Sequence, residues 1–321
     1  MVLDQELHRL LYQIAKAYYE DDQTQREIAK SFGLSRPKVS RLLKLAREEG
    51  IVNISFVPPS GGLTDLEREV KQKYGLEEVV AVQVRDSRNP GAVARELGPP
   101  AAEVLIRRIT GNEVLAVAWG TTLMSLVDAL PYKSVPLPYM TVVQMTGGLG
   151  PVDQLEHSSE LARRMAQKFN ARFRLMSAPG VVADKKAAKI LHSVKQITEV
   201  LDLAASAQIA VVSMGVLSSH SMLVRDGTIL TKEDIRAIQK AGAVGDIALH
   251  FVNEKGQLLD LEINEKIIGL TNSQLKRIPL VIAVAGGDEK YDVIRAGLYS
   301  KIPRILVTDH VTAQRLVKEK T

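Results

Sequence analysis

The first fifty residues space their apolar positions as amphipathic helices do. One stripe follows the pattern i, i+3, i+4, i+7 and i+11 and consists of Leu7, Leu10, Leu11, Ile14 and Tyr18. Positions three and four apart lie on the same face of a helix, so the stripe predicts a helix with one buried face. The polar residues at 21–23, Asp-Asp-Gln, predict its end.

Start signals for two further helices follow. Thr24 and Glu27 have the spacing of a capping box, in which each side chain bonds to the other residue's backbone N–H. Gly33 suits a sharp turn that needs a positive φ, Ser35 is predicted to cap the third helix, and Pro37 falls in its first turn. The apolar stripes of the two helices are Ile28, Ala29 and Phe32, and Val39, Leu42 and Leu43.

This spacing predicts a helix-turn-helix, with small Ala29 where the helices cross and Gly33 four residues later. Between residues 35 and 47 there are five cations and no acidic residue. A helix in the major groove needs cations for phosphates and short polar side chains for base edges. A solvated basic face is the alternative, but the complete pattern favours DNA. The predicted DNA-binding residues are Thr24, Gln25, Ser35, Arg36, Lys38, Ser40, Arg41 and Lys44.

The next segment separates two domains. Residues 51–57 alternate apolar and polar side chains and predict a short strand, while 58–62, Pro-Pro-Ser-Gly-Gly, predict a linker. We therefore expect a helix-turn-helix domain at 1–57, a linker at 58–62 and a larger domain at 63–321.

Apolar runs and helical patterns alternate through the larger domain. Strands are predicted at 79–84, 114–118, 141–144, 208–212, 280–285 and 305–308, with helices at 161–169, 232–240 and 293–298 among those between them. Continuous apolar strands separated by helices indicate a parallel sheet covered on both faces. The predicted class is α/β.

Three of these strands are followed by glycine or hydroxyl residues at 119–122, 145–150 and 286–290. Ligands of open α/β sheets bind beyond the carboxyl ends of the strands, where glycines let backbone N–H groups approach an anion. Each loop alone fits an ordinary turn, but the three together favour a ligand that carries phosphate. None matches the P-loop or the dinucleotide-binding glycine pattern.

Composition and charge limit the kinds of site, partner and cellular location that we expect. The chain has 321 residues, no cysteine and a formal net charge of +5, with a pI near 9.2. The absence of cysteine excludes disulfides and thiolate metal sites, and the modest positive charge suits a polyanionic partner. No apolar run reaches the roughly 20 residues that span a bilayer, and the start lacks the features of a signal peptide. We expect a cytoplasmic protein without a membrane segment.

Taken in order, the motifs at 25–29, 34–43, 119–122, 147–148, 242–247 and 278–313 resemble the SorC/DeoR-type family of sugar-responsive bacterial regulators. The resemblance covers nearly the whole chain. It implies a C-terminal domain related to phosphosugar isomerases, a phosphorylated sugar as effector, and dimers or tetramers on palindromic operator DNA. The effector residues that it implies are Gly120, Thr121, Thr122, Gln144, Gly147, Gly148, Leu149, Gly150, Asp246 and Lys290.

In this interpretation Asp246 accepts sugar hydroxyls, while the glycine loops, the threonines and Lys290 hold phosphate. A turn aspartate after Gly245 is the alternative for Asp246. Residues 141–150 contain no lysine, so a Schiff base from that loop is not expected and the complex is predicted to be non-covalent.

The alternative function is a sugar-phosphate isomerase fused to a DNA-binding domain. Such an enzyme needs a poised acid and base, but the six histidines are scattered and no pair has metal-ligand spacing. The cluster at 218–221, Ser-Ser-His-Ser, is interpreted as a polar surface loop. We therefore expect a regulator that represses a carbohydrate operon, is not an enzyme and has no cofactor and no bound metal.

Overall fold

The computed structural model describes residues 5–52, 63–132, 137–149, 156–218, 221, 223–224 and 229–319. The chain divides into two compact units, Met1–Pro58 and Pro59–Thr321. Residues 53–57 of the predicted strand and the whole predicted linker at 58–62 lie outside the described residues, so both stay predictions. In the described part no helix is long and apolar enough to cross a membrane.

Three helices form the described part of the first unit: α1 (Gln5–Tyr19), α2 (Gln25–Ser31) and α3 (Arg36–Glu48). The predicted capping box is present, since Thr24 Oγ1 accepts a hydrogen bond from the Glu27 N–H at 3.3 Å and Glu27 Oε2 accepts one from the Thr24 N–H at 2.8 Å. The φ angle of Gly33 is 62°, a left-handed conformation that glycine adopts at little energetic cost because it has no side chain. Ser35 occupies the N-cap position of α3, although its hydroxyl makes no capping bond.

One apolar core holds these helices together. Its members are the predicted stripes of the helices, with Leu11, Ile14, Ile28, Val39 and Leu43 all buried. After α3, Ile51 and Val52 lie in a bend and pack against this core. The predicted helix-turn-helix is thus confirmed as three packed helices whose turn lies between α2 and α3.

The second unit contains a parallel sheet that has seven strands among the described residues, in the order β1-β10-β9-β5-β2-β3-β4. These strands are β1 (Glu78–Val82), β2 (Val114–Val117), β3 (Leu137–Gln144), β4 (Ala171–Arg174), β5 (Ile209–Val212), β9 (Leu280–Val284) and β10 (Ile305–Asp309). All six predicted strands are present. The sequence analysis missed β4, an edge strand whose Arg172, Phe173 and Arg174 are exposed and give no buried pattern.

Helices cover the sheet. They are α4 (Leu63–Tyr74), α5 (Pro90–Arg108), α6 (Thr121–Ala129), α7 (Glu156–Phe169), α8 (Lys185–His192), α9 (Lys195–Ala205), α10 (Lys232–Lys240), α11 (Asn272–Arg277), α12 (Tyr291–Tyr299) and α13 (His310–Lys318), with short 3₁₀ helices at Glu262–Lys266 and Asp288–Lys290. Every residue of β5 and β10 is buried, as expected for central strands of a parallel sheet. The predicted α/β class is confirmed.

A small antiparallel sheet lies beside the large one and was not predicted. It consists of β6 (Met214–Gly215), β7 (Ala243–Ile247) and β8 (His250–Asn253). The turn between β7 and β8 is only two residues long, and both Ala248 and Leu249 have a positive φ, of 51° and 70°. Two-residue hairpin turns of this kind usually carry asparagine or glycine, so no local residue pattern indicated the hairpin.

The order of the strands leaves a crevice at one point of the sheet. After β2 the chain continues to β3 and β4 on one side, whereas after β5 it continues to β9 and β10 on the other. The segments that follow the neighbouring strands β2 and β5 therefore diverge. This is the topological switch point at which open α/β sheets bind their ligands.

The crossing of α5 and α6 provides a test of this packing. A Cβ atom on Gly98 would lie 2.5 Å from the backbone oxygen of Ser125, whereas one on Gly91, in the first turn of the same helix, would find no atom closer than 3.5 Å. We expect Gly98→Ala to lower the free energy of unfolding by at least about 1–3 kcal/mol, because the helices must separate. Gly91→Ala should be neutral or stabilising by up to about 1 kcal/mol.

Urea unfolding followed by circular dichroism measures both values. Equal effects of the two substitutions would contradict the close approach of α5 to α6.

Candidate functional site

The predicted DNA-binding residues lie at the start of α2 and along α3. Six of them are exposed on or just before α3, namely Ser35, Arg36, Lys38, Ser40, Arg41 and Lys44. The helical spacing puts Arg41 and Lys44 opposite the buried stripe of Val39, Leu42 and Leu43. Lys44 also lies 3.6 Å from Glu48 in an exposed ion pair. Because such pairs are weak in water, this contact leaves the lysine available to a phosphate.

The other two predicted residues lie beside a groove of about 780 Å³ next to this helix. Thr24 and Gln25 line it, as does Arg36. The Thr24 hydroxyl takes part in the capping box, so its first role is to start α2. Tyr19 and Arg26 line the same groove and were missed by the sequence analysis, although Arg26 lies within a motif that the analysis had singled out.

A cavity of about 450 Å³ opens at the topological switch point of the second unit. Its walls come from the segments that follow β1, β2, β5 and β9, and from β7 with its turn. A cavity of this size and position is typical of a small-molecule site. Five of the predicted effector residues line it: Gly120, Thr121, Thr122, Asp246 and Lys290.

The start of α6 supplies donors for an anion. Gly120 is the N-cap residue, with a φ of 126°, and Thr121 and Thr122 form the first turn. Backbone N–H groups in the first turn of a helix have no partner within the helix, and the helix dipole favours negative charge there. Thr121 is exposed and Thr122 is buried, so the two hydroxyls differ in their access to solvent.

Two more helices begin at the same cavity. Pro90 opens α5 after the capping residue Asn89, and Gly286 and Lys290 border the short 3₁₀ turn before α12. The starts of α5, α6 and α12 thus face one space, which concentrates favourable potential for an anion there. Arg88, on the rim, adds a cation that the sequence analysis missed.

The second glycine loop, around 145–149, has a different environment. Gln144 Oε1 accepts a hydrogen bond from the Met176 N–H at 2.7 Å, and Leu149 is buried in a second apolar cluster. A Cβ on Gly147 would lie 2.5 Å from the backbone oxygens of Ala178 and Pro179, so this glycine permits a close backbone approach.

In the same loop the Gly148 N–H donates to the oxygen of Ala178 at 2.8 Å. Gln144, Gly147, Gly148 and Leu149 are not among the residues that line the cavity, and Gly150 lies outside the described residues. Their role in effector binding stays a prediction.

Asp246 is the one acidic residue that is fully buried in the wall of the cavity, among the residues described there. The turn role that the sequence left open is present, while the role toward sugar hydroxyls stays a prediction. Oδ2 accepts a hydrogen bond from the Leu249 N–H at 2.9 Å and holds the strained turn after β7. Oδ1 is buried and has no hydrogen-bond partner. A buried polar atom without a partner is costly, and a ligand hydroxyl would satisfy it.

The surroundings of Asp246 are shaped to leave this oxygen room. A Cβ on the neighbouring Gly215 would collide with Oδ1, so a larger residue there would force the Asp246 carboxyl to shift. Burial raises the pKa of the Asp246 carboxyl to about 6, and the Leu249 N–H and the Lys290 ammonium lower it only in part. Burial likewise lowers the pKa of the Lys290 ammonium, while Glu289 and Asp246 raise it. The two groups lie in the same weakly hydrated space.

Ser221 is a further residue of the cavity that the sequence analysis assigned to a polar surface loop. That interpretation is wrong for this residue, because its Oγ atom is buried, has no hydrogen-bond partner and belongs to the lining. Ser213 and Gly215, directly after β5, also line the cavity. They repeat the signal that identified Gly120, a small or hydroxyl residue after a parallel strand, and could have been found in the same way.

Chemically, one set of cavity walls carries hydrogen-bond donors and cations that could bind an anion. Another set carries buried oxygens that lack hydrogen-bond partners. The cavity therefore suits a small ligand that has a negatively charged group and several hydroxyl groups. Among the described residues its lining includes aspartate, glutamate, lysine and arginine, but no histidine.

Comparison with known proteins agrees with this chemistry. The sequence pattern of a family described as "Putative sugar-binding domain" matches residues 59–318. The chain is 29% identical over 317 residues to the deoxyribonucleoside regulator of Bacillus subtilis (strain 168), covering 99% of this chain and 100% of that protein. It is 31% identical over 315 residues to the transcriptional regulator LsrR of Enterobacter sp. (strain 638), covering 96% of this chain and 92% of that protein.

A solved structure is similar over the same span. The full-length sorbitol operon regulator SorC of Klebsiella pneumoniae superposes with a TM-score of 0.74 at 27% identity, covering 98% of this chain and 100% of that one.

The buried carboxyl makes a prediction about stability. A pKa raised from 3.8 to about 6 in the folded state means that ionised Asp246 destabilises the fold by roughly 3 kcal/mol. The cost is absent below the ordinary pKa, where folded and unfolded chains are both protonated, and is complete above the raised one. We expect the unfolding free energy of the wild type, relative to Asp246→Asn, to fall as the pH rises from about 4 to about 7.

Urea titrations of both proteins at each pH measure this difference, because the asparagine side chain does not ionise in that range. A difference that stays constant between these pH values would show that the carboxyl is not perturbed.

Proposed function

The chain belongs to the SorC/DeoR-type family of sugar-binding transcriptional regulators, and from that premise we propose that it regulates a carbohydrate operon by binding operator DNA under the control of a phosphorylated sugar. The observation that carries the effector half of this proposal is the cavity at the switch point. It joins the starts of three helices, which suit a phosphate, to the unpartnered Oδ1 of Asp246, which suits a hydroxyl.

The positions of these groups indicate how the ligand would be oriented in the cavity. The phosphate would lie against the start of α6, with Gly120, Thr121 and Thr122, where backbone N–H groups and hydroxyls converge. Lys290 would add a positive charge from the segment after β9. The sugar hydroxyls would face Asp246 and Ser221, whose buried oxygens need donors. Gln144, Gly147, Gly148, Leu149 and Gly150 would join only if the loop around them approaches the bound ligand.

The DNA half of the proposal rests on α3. A two-helix motif with an exposed, basic second helix fits the major groove, and Arg41 lies on the face that points away from the core. Ser35, Arg36, Lys38, Ser40 and Lys44 would contact phosphates and base edges around it, and Thr24 and Gln25 would meet the backbone at the start of α2.

We further propose that the chain works as a homo-oligomer on a palindromic operator. Two recognition helices must then match half-sites about one helical turn apart, or a multiple of it. An effector that changes the spacing of the helices would change operator affinity, and repression relieved by the sugar phosphate is the expected direction.

The competing enzyme hypothesis has less support. The relatives compared above are named as regulators, and no histidine lines the cavity among the described residues. Asp246 and Lys290 could hold and move a proton, so the proposal includes a direct check. Incubation of the protein with each sugar phosphate, followed by NMR of the ligand, should show no conversion.

Arg41→Ala tests the DNA half. Loss of a bidentate base contact costs about 1–3 kcal/mol, so we expect operator affinity to fall about 5- to 150-fold at fixed salt, with effector affinity unchanged. The operator is a duplex selected by the wild-type protein from a random library, and binding is followed by fluorescence anisotropy. Arg277→Ala, an exposed arginine on α11, removes the same charge from the other unit and should leave operator affinity unchanged.

Equal losses for Arg41→Ala and Arg277→Ala would mean that net charge, rather than α3, determines binding. A wild-type protein that ignores DNA at low ionic strength would refute the DNA half altogether.

Thr121→Val tests the effector half. Valine keeps the shape of threonine and removes the hydroxyl, so we expect weaker binding of a sugar phosphate, by about 1 kcal/mol or more, and retained operator binding. Sorbitol 6-phosphate and 2-deoxyribose 5-phosphate are suitable probes, since relatives are named for regulating sorbitol and deoxyribonucleoside genes. Each is compared with its unphosphorylated sugar and with inorganic phosphate in a thermal-shift assay.

A ligand at 100 times its dissociation constant stabilises the fold by about 2.7 kcal/mol, which such an assay detects. Thr110→Val, on the loop before β2 and outside the cavity, is the matched control. Stabilisation of the wild type by the free sugars as strongly as by their phosphates would refute a phosphate-binding site.

A further inference from the structure

The last helix of the chain is attached at its start to the wall of the cavity. Asp309 is wholly buried at the end of β10, and its Oδ1 accepts a hydrogen bond from the Thr312 N–H at 2.9 Å, which caps α13. Its Oδ2 accepts hydrogen bonds from Thr312 Oγ1 at 2.6 Å and from the Gly287 N–H at 2.7 Å. Gly286 and Lys290, on either side of Gly287, line the cavity. One carboxylate therefore fixes both the 286–290 loop and the first turn of α13.

The segment after β1 is joined to the same place. The Asp288 N–H donates to the backbone oxygen of Ser87 at 3.0 Å, and the Val84 N–H donates to Nδ1 of His310, the first residue of α13, at 3.3 Å. Arg88, the next residue after Ser87, lines the cavity. The segments after β1, β9 and β10 are thus held as one unit that borders the ligand space.

The other end of α13 holds α4. Glu319, directly after the helix, accepts a hydrogen bond from the Tyr74 hydroxyl at 3.2 Å and pairs with Arg295 at 2.7 Å. The Lys73 ammonium donates to the backbone oxygens of Leu316, at 2.8 Å, and Glu319. Tyr74 is only 1% exposed, and burial, with the nearby Glu319 carboxylate, raises the pKa of its hydroxyl. The hydroxyl therefore stays protonated and remains a donor to the carboxylate.

A second helix connects the same two places. α12 begins with Tyr291, directly after the 286–290 loop, and the guanidinium of Arg315 lies 3.7 Å from the centre of its ring. The Tyr291 hydroxyl is 3.5 Å from Glu319 Oε2, and Arg295 follows one turn later. Both helices therefore contact the Glu319 carboxylate, α12 through Tyr291 and Arg295 and α13 at its C-terminal end.

We propose that α13, held by Asp309 at the cavity and by the contact of Glu319 with Tyr74 at its far end, transmits the occupancy of the cavity to α4. This inference rests on the proposed function. α4 is the first described helix after the predicted linker to the DNA-binding domain, so a change in its position acts on the segment that joins the two units. Asp309 is then a positioning residue for the 286–290 loop, and Tyr74 and Glu319 are positioning residues for α4.

The physical basis is that coupling between distant sites needs an element whose arrangement both sites bias. Ligand binding at the 286–290 loop acts on the buried carboxylate of Asp309. Because that carboxylate also caps α13, the loop cannot shift without a change at the start of the helix. At the other end, the Tyr74 side chain is buried and its hydrogen bond to Glu319 is partly shielded from water, which strengthens it.

The test uses the full-length chain and measures the ratio of operator affinities without and with a saturating probe. The probe is whichever of sorbitol 6-phosphate and 2-deoxyribose 5-phosphate stabilises the wild type more. We expect Tyr74→Phe to reduce this ratio about 2- to 30-fold, the range found for residues along coupling networks. Probe affinity without DNA and operator affinity without probe should stay within about twofold of wild type.

Glu319→Gln is the second variant and should reduce the ratio in the same direction. The double variant should lose less than the sum of the two single losses, because both substitutions act on the Tyr74–Glu319 contact, whereas Glu319→Gln also weakens the ion pair with Arg295. Tyr139→Phe is the matched control, since Tyr139 is 72% exposed on β3, and it should leave the ratio unchanged. Thermal unfolding of each variant shows that the fold is retained.

The outcomes separate the inference from the function on which it rests. A wild-type ratio of one, or no binding of either probe, refutes the proposed function. A clear wild-type ratio that persists in both Tyr74→Phe and Glu319→Gln overturns the role of α13 alone. Loss of probe binding itself in Tyr74→Phe also overturns it, because the residue would then maintain the cavity and not the coupling.

Discussion

The structure depends on one constraint of chain direction: two parallel strands, β2 and β5, lie side by side while the chain leaves them toward opposite edges of the sheet. A parallel strand must be followed by a crossover, and crossovers that turn away from each other cannot fill the space above the strands from which they start. The cavity is that unfilled space. Part of its set of hydrogen-bond donors for an anion follows from the same geometry, since the crossover after β2 begins with α6, whose first turn lines the gap.

Electrostatics then divides the cavity into two parts. Helix starts and cations favour an anion at one side, while the buried Asp246 carboxyl at another side lacks a partner for one oxygen. A ligand hydroxyl that bonded to this oxygen would offset the energetic cost of keeping the carboxyl dry. A strained turn at Ala248 and Leu249, held by the other oxygen of Asp246, borders the same space. Strain and unsatisfied polarity together are typical of a binding site and not of a simple core.

Local sequence signals predicted the elements well. The capping box at Thr24, the turn at Gly33 and the six predicted strands all follow from spacing and hydrophobic runs of a few residues. The missed elements lack such signals. Strand β4 is an edge with exposed arginines, and the β7–β8 turn carries Ala248 and Leu249 where glycine or asparagine would have been informative.

The site was predictable only in part, for a related reason. The loops at Gly120 and Lys290 could be recognised because each follows a strand, but which loops share one space depends on strand order, which the sequence does not display. Hence the loop at Gly147, equally rich in glycine, has a packing role against Ala178 and Pro179. Ser221 was misjudged because polarity in a loop says nothing about burial.

The exposed edge of the sheet has a consequence for assembly. An edge strand offers unpaired backbone groups to any second copy, and two copies of β4 aligned in opposite directions would bring Arg172 of each beside Arg174 of the other. Because guanidinium groups at that spacing repel each other, the arginines disfavour a sheet that continues from one molecule into the next. Association of two molecules through β4, and growth into fibrils by this edge, are thereby hindered.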